Sequence, residues 1–402
     1  MTKFSIILIF MIVFQVVAAT DENFSLILFP DTQYMVKSPN EKMWESMPQW
    51  VKDNQAKFNI KAVIGLGDVT DSPTPEEYLE AVKGWNVIKS SGLIYMPTRG
   101  NNGDSYPIWN QYFGPSYFAG KTWFGGSNGN STSCYYVKFV EGSKKYLILA
   151  VGFDPNPTQI AWAQSVLNAN NDSKVIVVAH SYLLDKQQLT TEGTKLWNGL
   201  IQKNKNIFLV VCGHKYGLPQ STSYFLRDKR VNELRADYQD KNYGNGYMEI
   251  LKFQPSNYII QTTAFSAYLN QTDPKGSYVM PLCLGIPLPK PKLVYKGKED
   301  RTTYTIYNLS VANRNDYPAS LFRPAPDLEP CGINKNSSRM WLDISDQNGK
   351  RIYGFCALTK PSDMDGLWFS IDKGKVPPKS VSITLNDRAC SISSQSNVVT
   401  IK

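Results

Sequence analysis

Residues 206–217 read NIFLVVCGHKYG, an apolar run of strand length that ends in Gly213-His214-Lys215-Tyr216-Gly217. A near-continuous aliphatic run suits a strand buried on both faces, so the polar residues after it stand at the mouth of a buried strand. The chain has two histidines in 402 residues, and one of them is here. A metal motif of this shape wants a second histidine at 216, where a tyrosine stands.

The same pattern of apolar run, turn and helix-like stretch repeats from residue 24 to about 285. The runs are FSLILF (24–29), KAVIGL (61–66), LIYM (93–96), YLILAVGF (146–153), KVIVVA (174–179) and NIFLVVC (206–212). Between them, PTQIAWAQSVLNA (157–169) and GTKLWNGLIQK (193–203) space apolar residues for one helical face. YMEILKF (247–253) and YIIQTTAF (258–265), joined by Gln254-Pro255-Ser256-Asn257, read as a hairpin. Strands alternating with helices predict an α/β layered domain over 20–284. Residues 285–299 are rich in Pro and Lys and read as a linker. Short alternating strands with turn residues such as Asn348-Gly349 then predict an all-β sandwich over 300–402.

Hydrophobic residues make up 42% of the chain and aromatics 12%, enough for packed cores and too many for a disordered chain. The first nineteen residues, MTKFSIILIFMIVFQVVAA, read as a secretory signal peptide cleaved after Ala19, with an uncleaved anchor as the rival reading. Beyond them no stretch is long and apolar enough to span a bilayer. Six N-x-S/T sequons, at Asn23, Asn130, Asn171, Asn270, Asn308 and Asn336, fit a secreted or lumenal glycoprotein. Six cysteines allow up to three disulfides, and four of the six follow residue 280. Cys212, set among Val210, Val211 and Gly213, reads as a buried core thiol. The net charge of +9 is scattered rather than clustered, so it predicts a mild attraction for anionic ligands and no nucleic-acid surface. Nothing in the sequence fixes an oligomeric state.

In open α/β sheets, ligands bind beyond the carboxyl ends of the strands. Those ends carry Asp31 and Gln33, Asp68 and Asp71, Asn101 and Asp104, His180, and His214. Carboxylates, an amide oxygen and neutral imidazole suit a divalent cation. Each signal alone is weak, because an Asp after a strand is usually a turn or cap residue and a lone His is more often structural. Both histidines of the protein fall in the series, which strengthens the joint pattern.

That series, D-x-(H/Q), GDxxD, GN, H and GHx(H), resembles the calcineurin-like metallophosphoesterases, and DTQ at 31–33 looks like a secreted subgroup of that family. PTQIAWAQSVL, AHSYLL and ADYQDKNYGNGYMEILKF extend the likeness over about residues 24–270. EPCGINKNSSRMWLDI and RIYGFCAL resemble an accessory domain attached to such proteins. The resemblance implies a four-layer-type α/β sandwich holding two metal ions, whose bridging hydroxide attacks a phosphate ester. It places one ion on Asp68, Asn101, His180 and His214, all present. The other would take Asp31, Gln33, the shared Asp68 and Tyr216, two of which depart from the family histidines. One or two divalent or iron-type ions are therefore implied.

A phenol is a poor ligand for a divalent ion, so Tyr216 is a doubtful ligand with a packing role as its alternative. The family's leaving-group histidine is replaced by Asn102, which cannot donate a proton as an acid. Asp104 is a substitute acid or a solvated loop residue. Arg99 is a phosphate contact or a surface residue. The expectation is a secreted phosphoesterase of reduced or specialised activity. The alternatives are a pseudoenzyme that keeps one metal and a ligand, or an adhesive or sugar-binding role for the C-terminal domain.

Overall fold

A computed structural model of the protein describes residues 23–103, 105–185, 187–217, 220–324, 338–355 and 358–402. Two seven-stranded sheets come first. Sheet 1 contains β1 (Phe24–Phe29), β2 (Ile60–Gly65), β3 (Ile94–Met96), β11 (Tyr247–Gln254), β12 (Ile259–Ser266), β13 (Gln271–Asp273) and β14 (Val279–Pro281). Its spine runs β13-β12-β11-β1-β2-β3, with β14 also on β12. Sheet 2 contains β4 (Phe124–Asn128), β5 (Ser131–Glu141), β6 (Lys144–Ala150), β7 (Lys174–Val178), β8 (Ile207–Cys212), β9 (Thr222–Arg227) and β10 (Val231–Ala236), in the order β4-β5-β6-β7-β8-β10-β9. The strands that carry the expected ligands are parallel within each sheet: β1-β2-β3 in one, β6-β7-β8 in the other.

Side-chain alternation explains why these runs are apolar throughout. On β1, Phe24 faces the other sheet, 5.3 Å from the Tyr146 ring, while Phe29 faces outward, 5.5 Å from Trp44 and Trp85. Those tryptophans belong to α1 (Glu41–Asn54) and α2 (Pro75–Ser90), which cover sheet 1. On β7, Ile176 and Val178 join the core between the sheets, while Val175 and Val177 join an outer core with Ala163, Val166 and Leu167 of α4 (Pro157–Ala169). A strand packed on both faces has no polar side to show. The result is the four-layer α/β sandwich expected.

Helix starts follow local chemistry. Asn156 and Gln159 form a capping box, each side chain accepting the other's backbone N–H, with Pro157 at the first turn. The stretch expected as one helix over 193–203 differs: α5 (Thr191–Leu196) begins earlier and gives way to a π-turn over Trp197–Ile201. Thr190 sets that start, since its hydroxyl accepts the Gly193 N–H at 2.9 Å. A fifth helix, α3 (Tyr106–Phe113), precedes β4.

The C-terminal strands form two further sheets. One is β15 (Leu293–Asp300), β16 (Tyr304–Val311) and β19 (Leu367–Asp372). The other is β17 (Met340–Asp346), β18 (Arg351–Phe355), β20 (Ser380–Asp387), β21 (Ile392–Gln395) and β22 (Val399–Thr400). They enclose their own core, with Leu309, Leu342, Phe369 and Ile383 buried in it. Part of the stretch read as a linker is strand: β15 pairs along β16, burying Leu293 while its lysines face solvent. A disulfide, Cys283–Cys390, ties this part to the sheet region, and Cys134 and Cys212 are free and buried. Cys331 and Cys356 lie outside the described residues, as do the signal segment and Asn336. Among the described residues no helix is long and apolar enough to cross a membrane.

Candidate metal centre

The carboxyl ends of the parallel strands of both sheets meet at one place. Asp68, His180 and His214 bring ligand atoms within 4.8 Å of one another. Asp68 follows β2 in sheet 1, whereas His180 follows β7 and His214 follows β8 in sheet 2. The site is therefore built by closure of one sheet on the other.

His180 is fully buried, and its Nδ1 lies 2.9 Å from the Leu66 carbonyl. A carbonyl only accepts, so Nδ1 carries the proton and neutral imidazole leaves its Nε2 lone pair facing the site. Nε2 stands 2.9 Å from Asn101 Oδ1 and 3.1 Å from Asp68 Oδ1. The amide of Asn101 is oriented by its Nδ2, which donates to Asn102 Oδ1 at 3.0 Å. Three acceptor atoms thus converge, and they repel one another unless a cation, either a proton or a metal ion, sits among them. Carboxylate, amide oxygen and imidazole are a donor set that fits a divalent ion.

Burial pushes the Asp68 carboxyl up, but the charge and hydrogen bond of His180 when Nε2 also holds a proton, with the backbone N–H groups of Asn102 and Asn101, hold it below the usual range. Those N–H groups donate to Asp68 Oδ1 at 2.9 and 2.7 Å. The loop that presents Asp68 needs glycine before it: Gly67 has φ +113°, and a Cβ there would lie 2.1 Å from His180 Nδ1. His214 is half-buried, and burial lowers its pKa to about 4, with His180 and Lys215 adding to the shift. It is neutral near pH 7, as a metal ligand must be. Phe153 caps both imidazoles, its ring centroid 5.8 Å from His180 and 5.4 Å from His214.

The remaining expected residues are placed as follows. Both carboxylate oxygens of Asp31 accept the backbone N–H of His214. Gln33 is buried, and its Oε1 accepts from Asn102 Nδ2 at 3.4 Å. Tyr216 is 54% exposed. Asp71 pairs with Lys37 at 2.7 Å. Arg99 is buried, with Nη1 and Nη2 donating to the Gly100 and Phe153 carbonyls at 3.2 and 2.9 Å, so it braces two site loops instead of lying on the surface. Asp104 lies outside the described residues.

Two residues that the strand-end reading passed over lie close by. Arg235 on β10 is fully buried and donates to the Lys215 and Gln220 carbonyls and to Asp185, which fixes the loop after His214. Asp237 follows β10 as Asp68 follows β2, and burial raises its pKa to about 6 against the pull of the Gln239 N–H and Arg235. Its position directly after a strand was the available signal.

No protein-family model matches the chain. It is 29% identical over 259 residues to the uncharacterized protein YvnB of Bacillus subtilis, a match that takes in 61% of this chain and 20% of that protein. The chain thus spans about a fifth of the relative's length. Among solved structures it is similar in outline to a dimetal phosphatase from Danio rerio, at 9% identity and TM-score 0.46, over 64% of this chain and 99% of that one. It is also similar to a purple acid phosphatase from yellow lupin seeds, at 11% identity and TM-score 0.39, over 65% and 54%.

Proposed function

We propose that the chain is a secreted, metal-dependent phosphoesterase of reduced or specialised activity. The observation that carries this reading is the convergence of Asp68, Asn101 and His180 acceptor atoms beside a neutral His214. An ion held there would polarise a phosphoryl oxygen and acidify a water for attack. The protein's own part is positioning. The Leu66 carbonyl holds the His180 ring, two backbone N–H groups hold Asp68 ionised, and Phe153 screens one side from water. Gln33 and Asp31 would hold a weaker second ion beside this cradle.

Asn102 brings no acid to the leaving group. Loss of a general acid costs about 10²–10⁴-fold in rate, so esters with good leaving groups are favoured. Secretion is supported by the apolar leader, by the disulfide and by the sequons, since Asn23, Asn130, Asn171 and Asn270 are all exposed. Elemental analysis of secreted protein, with turnover of an aryl phosphate monoester and diester, tests the reading. About one bound ion and turnover abolished by Asp68→Asn and His214→Ala are expected. A stably occupied site without turnover under any added metal would leave the second reading, a protein that binds an ion and an anionic ligand. The contact between Asn102 and Gln33 favours that second reading, because it fills two motif positions with amides.

A further inference from the structure

Two tyrosines, Tyr34 and Tyr216, lie in loops that carry candidate ligands, and a third, Tyr243, packs on the first of them. Tyr34 follows Gln33, and Tyr216 lies two residues after His214. Tyr243 meets Tyr34 edge to face, with centroids 6.3 Å apart. The loops are tied together: the Gly217 N–H donates to Asp240, and Gly244 packs on Met35, where a Cβ would lie 3.1 Å from Cε.

Tyr243 is held at a cost. Five consecutive residues adopt left-handed backbone: Asn242 (φ 47°), Tyr243 (63°), Gly244 (103°), Asn245 (46°) and Gly246 (65°). Asn and Gly tolerate that region, and a bulky aromatic does not. The loop is nonetheless fixed, by Lys241 on Asp273, by the Ser266 hydroxyl on the Asn245 carbonyl at 2.6 Å, and by the Ala267 N–H on the Gly246 carbonyl at 3.0 Å. The strained ring is not there to fill a core, since Tyr243 is 52% exposed and Tyr216 54%. Strain at a non-glycine residue beside a site points to a role in that site.

We propose that Tyr34, Tyr216 and Tyr243 form a stacking shelf that selects phosphate esters whose organic group carries a flat aromatic ring. The inference rests on the phosphoesterase reading and names its substrate class. Tyr216 and Tyr243 are each about half exposed, on loops tied to those that carry the candidate ligands His214 and Gln33. A flat ring gains from stacking on these tyrosines, and an aryl alcohol is also the leaving group that a site without an acid at 102 needs.

Calorimetric binding to zinc-loaded protein separates the outcomes. The probes are inorganic phosphate, methylphosphonate, phenylphosphonate and a nucleoside 5′-phosphonate, none of which requires turnover. Phenylphosphonate or the nucleoside phosphonate is expected to bind about two- to tenfold more tightly than methylphosphonate. That ratio should collapse towards one in Tyr34→Ala and Tyr243→Ala and survive in Tyr243→Phe, which also controls for folding. The tighter of the two ring probes tells an aryl ester from a nucleotide. A wild-type ratio near one, or a ratio unchanged by the alanine variants, overturns the shelf while phosphate binding keeps the parent reading. Absence of phosphate binding itself overturns both.

Discussion

Both carboxylate oxygens of Asp31 accept the backbone N–H of His214, at 3.2 and 3.0 Å, across 183 residues of chain. Asp31 closes β1 of sheet 1 and His214 closes β8 of sheet 2, so one shared N–H clasps the two sheets where the ligands meet. His214 is left-handed, with φ 71°, and the clasp helps hold that conformation.

The approach requires glycine at 213, where a Cβ would fall 2.0 Å from Asp31 Oδ1. Gly213→Ala is expected to cost about 1–3 kcal/mol and to weaken ion binding, because the loop must back away. Gly366→Ala, where a Cβ meets nothing within 4 Å, should stay within about 0.5 kcal/mol. Denaturant unfolding and elemental analysis of the two variants check the contrast. Equal effects would remove the clasp from the account.

Removal of a bound ion should lower the melting temperature. An ion that binds only the folded chain adds about 2.7 kcal/mol at a hundredfold excess over its Kd. Melting scans in chelator and in added zinc are expected to differ for wild type. The gap should shrink for His180→Gln and Asp68→Asn, which replace an imidazole and a charged carboxylate with weaker, neutral amide ligands. A gap of the same size in those variants would place the ion elsewhere.

The strand ends were legible because burial on both faces removes polar residues from β1, β2, β7 and β8, so the first polar residue after each run stands out. Asp68, His180 and His214 are found that way. The edge strands β4 and β9 were not legible, since they alternate with Gly, Ser and Arg and carry no continuous apolar run. β15 was hidden behind prolines that end just before it. Arg235 was missed for a physical reason: an arginine on a strand reads as solvent-facing, and only the Lys215 and Gln220 carbonyls show why it is buried. No sequence pattern announces a left-handed Tyr243.

Arg235 offers a test at the loop it fixes. Its guanidinium donates to the Lys215 carbonyl at 2.7 Å, to the Gln220 carbonyl at 2.9 Å and to Asp185 at 2.8 Å. Arg235→Met keeps most of the volume but strands these acceptors. A loss of about 3–5 kcal/mol is expected. The amides of 213–217 should exchange with solvent faster than those of the β11–β12 hairpin. Hydrogen exchange followed by mass spectrometry reads both regions at once. Uniform acceleration would mean that the residue supports the whole domain and not this loop.

Glu249 on β11 sets a pH dependence. It is fully buried, with the Tyr238 hydroxyl donating to Oε1, and burial raises its pKa to about 8. The unfolded chain would release that proton near pH 4.5. Between about pH 4.5 and 8 the folded state therefore binds the extra proton. Stability is highest below that window and falls as pH rises through it. At about 1.4 kcal/mol per pKa unit the effect is of the order of a few kcal/mol. Glu249→Gln removes the titration while keeping an acceptor for Tyr238, so its unfolding free energy should be flatter with pH and exceed that of wild type at pH 8. Urea unfolding at pH 5, 6.5 and 8 checks this, and parallel curves for the two proteins would rule out a buried, protonated Glu249.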